Sequence, residues 1–423
     1  MSFVRQARLK AKLCDMRHFA GVARLFPAYL AAAVLTLAGC ALPERLPPVP
    51  RSDTEQVTVL GGLQNARFWA DTQHAELSAE AERALARERQ YLGLGPNEPL
   101  PRVDFLAISG GSDDGAFGAG LLVGWTAAGT RPEFKLVTGV STGALIAPFA
   151  FLGPSRDGQL TQVYTGISPK DVYAARGLLS IPWDDAMSDT APLYKLISRY
   201  LDEQMMADIA REYGKGRLLL IGTTNLDVMR PVIWNVGAIA ASGRPGAIDL
   251  IRKLLLASTA VPAVFPPVMI DVERGGQRYQ EMHVDGGAVA QLFLYPARVT
   301  EGRDLRRGPL ARERHAWVIR NARLDPDWAA VKRSVFSIAG RAIASMIHYS
   351  GNSDILRVQT IAVRDGVDFN LAYIGKDFDV EHTENFDTEY MRALFKYGYD
   401  KARAGYPWSK RGIFHVSSEV AQQ

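Results

Sequence analysis

The spacing of apolar positions changes several times along the chain, and each change predicts an element. From Ala75 to Leu92 apolar residues recur at near-helical spacing among Ala, Glu and Arg, which predicts an amphipathic helix. Val103–Ile108 is a short, apolar, β-prone run and predicts a strand. The glycine-rich turn Ser109–Gly115 follows, then a helical pattern over Ala116–Ala128 that Gly129 closes. Phe134–Val140 predicts a second strand, and the apolar segment Gly143–Phe151 a second helix. Two strands joined by a crossover helix are parallel and usually adjacent, so the loops 109–115 and 139–143 leave the same carboxyl edge of the sheet. Ligands of open α/β sheets bind at that edge.

Further on, Leu218–Thr223 has the pattern of a buried strand, and Arg230–Val236 follows it after a turn around Asn225. Ile251–Leu256 is helical; His315–Arg320 and Val358–Val363 are expected as late strands; Val331–Ile347 and Thr388–Ala404 are expected as covering helices. The fold class is α/β, with a mixed, mostly parallel sheet flanked by helices on both faces.

Composition adds limits. Of 423 residues, 47% are hydrophobic and 22% charged, as in a globular protein. The net charge of +4 is concentrated at the start: residues 1–39 hold six basic and one acidic residue, the remainder 43 and 44. No basic face interleaved with aromatic residues points to nucleic acid. Cys14 and Cys40 are the two cysteines, so a disulfide framework or a cysteine-based metal site after residue 40 is excluded.

Behind the basic region lies "LFPAYLAAAVLTLAG", residues 25–39. It is shorter than the roughly 20 residues of a membrane span and suits the apolar part of a secretory signal. Its end, Leu37-Ala38-Gly39-Cys40, resembles the lipobox of bacterial lipoprotein signal peptides. That resemblance implies cleavage before Cys40, diacylation of its thiol and, with Ala at 41, an outer-membrane anchor facing the periplasm. An ordinary cleaved signal and an uncleaved anchor remain open, as does a start at Met16. The expected organisation is a signal peptide over 1–39, a proline-rich tether over 40–60 and an N-terminal helical segment over 61–100. A catalytic core over 101–300 and C-terminal strands and covering helices over 301–423 complete it.

The candidate chemistry sits in three short stretches. Gly139-Val-Ser141-Thr-Gly143 reads G-x-S-x-G on a strand-to-helix turn. A serine hydroxyl needs a base, and an acyl-transfer oxyanion needs backbone N–H donors already aimed at it. Gly110, Gly111 and Ser112 can form such a nest. A phosphate-binding reading fails, because the loop has no lysine and carries Asp113 and Asp114. Those two acids are expected to be solvated or capping; no metal cluster and no cofactor motif is visible. Of the histidines, His283, His315, His348, His382 and His415 all lie outside glycine-flanked loops. Asp285, in Val284-Asp-Gly-Gly287, stands directly before two glycines.

Together the glycine loop, G-x-S-x-G and D-G-G, in that order over residues 103–290, resemble the patatin-like phospholipase family. The stretch "ASTAVPAVFPPV", 257–268, is also similar to the family's sequence before its D-G-G. The resemblance implies a three-layer sandwich and a Ser–Asp dyad without histidine. Ser141 would be the nucleophile, Asp285 the base, and Gly110, Gly111 and Ser112 the oxyanion loop. The chain departs from the family's usual G-G-G-x-[RK]-G: Ser112 replaces a glycine, and Asp114 stands where a basic residue is common. The implied function is a serine lipid acyl hydrolase, a phospholipase, lysophospholipase or esterase that meets membrane lipids as substrate. Transfer of the acyl group to an alcohol and a lipid- or partner-binding lipoprotein without turnover are the other readings.

Overall fold

The computed structural model describes residues 45–175, 186, 188–303, 305–307 and 310–412. The expected signal peptide, Cys40 and His415 lie outside the described residues. Among the described residues nine strands form one sheet: β1 (Arg67–Trp69), β2 (Val103–Ile108), β3 (Phe134–Gly139), β4 (Leu218–Asn225), β5 (Arg230–Asn235), β6 (Val268–Arg274), β7 (Gln277–Asp285), β8 (Arg314–Arg323) and β9 (Asp368–Ile374). The spatial order is β1-β5-β4-β3-β2-β8-β9, with β7 pairing β4 and β6. Strands β4, β3, β2, β8 and β9 run parallel, and the remaining pairings are antiparallel.

Alternation along the strands divides the core in two. Leu106, Ile108, Val137, Leu219, Ile221 and Ile319 point to one cluster, while Ala107, Leu136, Leu218, Leu220 and Val318 point to the other. Burial on both faces is why these strands read as continuous apolar runs. The first face is covered by α2 (Gly115–Ala127), α3 (Thr142–Leu152), α4 (Ala247–Ser258) and α6 (Thr388–Arg403). The second is covered by α1 (His74–Leu92) and α5 (Val335–Asp365).

Helices α2 and α6 cross at close range because glycines line the contact. A Cβ on Gly120 would stand 2.0 Å from the Phe395 carbonyl oxygen, one on Gly124 2.2 Å from that of Tyr399, and one on Gly398 2.4 Å from that of Phe117. Beside this crossing Trp125, Trp317 and Trp408 pack edge to face or tilted, at 4.8–4.9 Å between ring centroids.

Two expectations change. Val358–Val363 is part of α5, not a strand: Ile355, Val358 and Ala362 are buried at helical spacing, and the β-branched composition of the segment misleads. Residues 45–60 pack on the domain rather than standing off it as tether. Arg45 makes two bonds to the Asp227 carboxylate at 2.9 and 2.8 Å, Thr58 bridges Glu273, and Val57 and Val59 are buried.

Candidate active site

Sheet register brings the chemistry together. Gly139 of β3 lies opposite Ile221 of β4, and Thr223, two residues further along β4, lies opposite Asp285 at the end of β7. Ser141, two residues beyond Gly139, reaches the same level. It occupies the turn between β3 and α3 at φ 55°, ψ −128°, a left-handed backbone that only a strongly constrained turn imposes on a serine. The turn is fixed by its neighbours. The Ser141 N–H donates to Ser258 Oγ at 3.0 Å, and Ser258 Oγ donates to the Gly222 carbonyl at 2.7 Å. Gly139 and Gly143 allow the tight return: a Cβ on Gly143 would stand 2.3 Å from the Ile108 carbonyl oxygen. Helix α3 starts directly behind the serine, with the positive end of its dipole at Ser141.

Asp285 is buried beside that hydroxyl. Its Oδ1 accepts the Gly287 N–H at 2.6 Å, and its own N–H donates to the Ala260 carbonyl at 2.9 Å. Burial pushes the Asp285 carboxyl up to about 6, against the opposing pull of the Ser141 hydroxyl and the Gly287 N–H. The glycine after Asp285 has a steric reason, since a Cβ on Gly286 would stand 2.6 Å from the Gly222 carbonyl oxygen.

The glycine loop lies against the serine, but its three residues differ in what they offer. The Gly110 N–H is already committed to the Gln291 carbonyl at 3.1 Å. Gly110 instead gives room: a Cβ there would stand 3.0 Å from Ser141 Cβ. The Gly111 and Ser112 N–H groups meet no acceptor among the described residues. Ser112 takes a left-handed φ of 54°, the conformation a glycine would adopt more cheaply.

Asp113 is buried and Asp114 half-buried, and both are anchors rather than solvated or capping acids. Asp113 Oδ2 accepts from His382 Nε2 at 2.8 Å and from the Phe386 N–H at 2.7 Å; Asp114 Oδ1 accepts from the Tyr390 hydroxyl at 2.6 Å. They fasten the glycine loop to α6 and to the segment leading into it. Burial pushes the Asp114 carboxyl up to about 6. The cation missing at position 114 has a counterpart on β8, where the buried Arg320 acts electrostatically on Asp114 and Asp354.

Of the histidines, His283 is fully buried between Thr223 Oγ1 at 2.9 Å and Glu281 Oε2 at 3.0 Å. His315 pairs with Asp368 and Glu313 near the opposite end of β8, and His348 pairs with Asn352 on α5. Among the described residues none of them joins Ser141. Residues that sequence reasoning missed hold the loop in place. The Asn321 N–H donates to Ser109 Oγ at 2.9 Å, its Nδ2 donates to the Ser109 carbonyl at 2.9 Å, and its Oδ1 accepts the Gly118 N–H at 3.0 Å. Asn321 stands one residue beyond the apolar run Ala316–Ile319, after Arg320, and a polar residue near a strand's carboxyl end is the signal that could have found it. An apolar pocket opens on Ser141 and Ser112, lined by Leu145, Val163, Leu196, Val261, Phe265 and Met391. The described residues contain no group of acidic, histidine or cysteine side chains suited to a metal ion.

Residues 106–298 match the Patatin family model, described as patatin-like phospholipase. No curated protein matches the sequence. Among solved structures, VipD from Legionella pneumophila is similar at 12% identity over 73% of this chain and 67% of VipD, with a TM-score of 0.34. The chain carries a patatin-like phospholipase domain over residues 106–298.

Proposed function

We propose that this domain is a serine lipid acyl hydrolase working through a Ser141–Asp285 dyad. The observation that carries the reading is the juxtaposition of the Ser141 hydroxyl with the buried Asp285 carboxylate, at the foot of a helix and beside two unengaged backbone N–H groups. Asp285 accepts the serine proton while Ser141 Oγ attacks the ester carbonyl. The developing oxyanion is held by the Gly111 and Ser112 N–H groups and the start of α3. Collapse expels the alcohol, which takes the proton from Asp285; water activated by Asp285 then releases the fatty acid and restores Ser141. A carboxyl raised to about 6 is a better base than an ordinary aspartate and is still ionised at neutral pH. The apolar pocket suits an acyl chain. The lipid anchor at Cys40 and outer-membrane location belong to the same proposal, since they would keep the serine near phospholipid.

Ser141→Ala and Asp285→Asn are each expected to lower kcat/KM on a lipid ester by about 10²–10⁴-fold or more, with near-ultraviolet circular dichroism unchanged. A fluorophosphonate probe should label the parent at Ser141. Retained turnover in both variants, or a folded parent that takes no label, sinks the assignment.

A further inference from the structure

Helix α5 is built in two unlike halves. In its second half Ile355, Val358 and Ala362 face the sheet and are buried, as in an ordinary covering helix. In its first half the pattern is reversed. Val335, Ile338, Ala342, Met346 and Tyr349 recur at three- and four-residue steps and form one stripe, and that stripe faces solvent. Val335 is 80% exposed, Ile338 55%, Met346 70% and Tyr349 62%; Trp328, just ahead of the helix, is 87% exposed. The polar residues Ser337, Arg341 and His348 lie on the sheltered side, where Arg341 meets Asp327 and His348 meets Asn352. A surface helix that offers a stripe of apolar side chains to water is completed by an apolar partner.

Its position follows from the topology. Helix α5 leads into β9, whose Asp368 pairs with His315 near the start of β8, so the helix runs against the strands and begins beyond their carboxyl ends. Gly351 is level with the end of β8, where a Cβ would stand 2.5 Å from the Arg320 guanidinium carbon. Residues 335–350 therefore extend about 24 Å past that level. This is the sheet edge that presents Ser141 and the glycine loop.

Charge selects the occupant. From Trp328 to Ser353 there is no acidic residue, while Lys332, Arg333 and Arg341 are basic, and Lys332 and Arg333 are exposed directly before the helix. Basic residues, a tryptophan and an apolar stripe on one short segment match an anionic bilayer surface. No helix among the described residues is long and apolar enough to cross a membrane. We propose that residues 328–349 dock on an anionic lipid surface and hold the Ser141 edge of the sheet against it. The proposal stands on geometry and charge independently of the hydrolase reading.

The test is hydrogen–deuterium exchange on the full chain with vesicles of phosphatidylglycerol and phosphatidylethanolamine. This readout is local, so binding through the apolar stretch 25–39 does not obscure it. Peptides covering 328–349 should gain protection, and the double variant Ile338→Glu/Met346→Glu should lose it. Hydrolysis of vesicle phospholipid by that variant should fall roughly tenfold or more, while a soluble short-chain ester is turned over as by the parent. Vesicle-induced protection confined to other segments overturns the proposal. So does protection of 328–349 that needs no vesicles and grows with protein concentration, which would assign the stripe to a second copy of the chain. If neither ester is cleaved by parent or variant, the hydrolase reading fails while the exchange result still decides the docking.

Discussion

Asp285 and Asp114 are carboxylates of the same region, both raised to about 6, and they titrate with different consequences. Asp285 must be ionised to accept the Ser141 proton. The kcat/KM for a neutral soluble ester should therefore climb about tenfold per pH unit below pH 6 and level off above it. A profile flat from pH 4.5 to 8 would remove Asp285 from the role of base. Asp114 touches no reacting atom; it accepts the Tyr390 hydroxyl and holds the glycine loop. Its carboxyl titrates higher in the fold than the ordinary 3.8, so the fold prefers the protonated form. That contribution to stability is full below pH 3.8 and is lost as pH rises through 6, a change of up to about 3 kcal/mol. Asp114→Asn keeps an acceptor for Tyr390 and removes the titration. We expect this variant to be more stable than the parent at pH 8, by about 1–3 kcal/mol in urea unfolding, with the gap closing towards pH 4. An unchanged pH dependence of unfolding would place the burial cost elsewhere.

Elements here are decided by what glycine leaves out. Helices α2 and α6 touch backbone to backbone at Gly120, Gly124 and Gly398, so the crossing tolerates no added carbon. Gly124→Ala should cost about 1–3 kcal/mol, because the Cβ can be seated only by separating two helices. The same substitution at Gly340, in the exposed half of α5 with open space around it, should instead stabilise by up to about 1 kcal/mol through helix propensity. Thermal unfolding of the two variants reads the opposite signs directly. This contrast also marks what the sequence conveys. Strand β2, the turn at Ser141 and the spacing of Asp285 are legible because local pattern and local chemistry agree. The loop glycines are legible as a motif, yet their separate duties are not: Gly110 makes room while Gly111 and Ser112 keep their N–H groups free. No local motif ties Asn321, Tyr390 and His382 to the glycine loop, because they reach it from strands and segments some 200 or more positions away. Val358–Val363 reads as a strand until its neighbours Ile355 and Ala362 are seen to share its buried face.

At the scale of the molecule, the matched segment 106–298 lacks parts that its own site depends on. Strand β2, which opens into the glycine loop, pairs with β3 on one side and with β8 on the other, and β8 starts at Arg314. Without β8 the central strand becomes an edge, and the loop loses the three hydrogen bonds that Asn321 makes to Ser109 and Gly118. Without α6 the apolar surface of α2, including Phe117 and Leu121, is uncovered, and Asp114 keeps its burial cost without the Tyr390 donor. The tryptophan cluster fails in the same way, since Trp125 meets both Trp317 and Trp408 from the missing part. Each buried hydrogen bond lost leaves a polar group costing about 1–3 kcal/mol, and a domain of this kind holds only about 5–15 kcal/mol in total. A fragment spanning 101–300 is therefore expected to be molten or insoluble, without near-ultraviolet circular dichroism and without ester hydrolysis. A chain spanning 45–412 should fold cooperatively and react with a fluorophosphonate at Ser141. If the 101–300 fragment folds and labels as well as the longer chain, the glycine loop does not need Asn321, and the site is more local than the hydrogen bonds across β2 and β8 require.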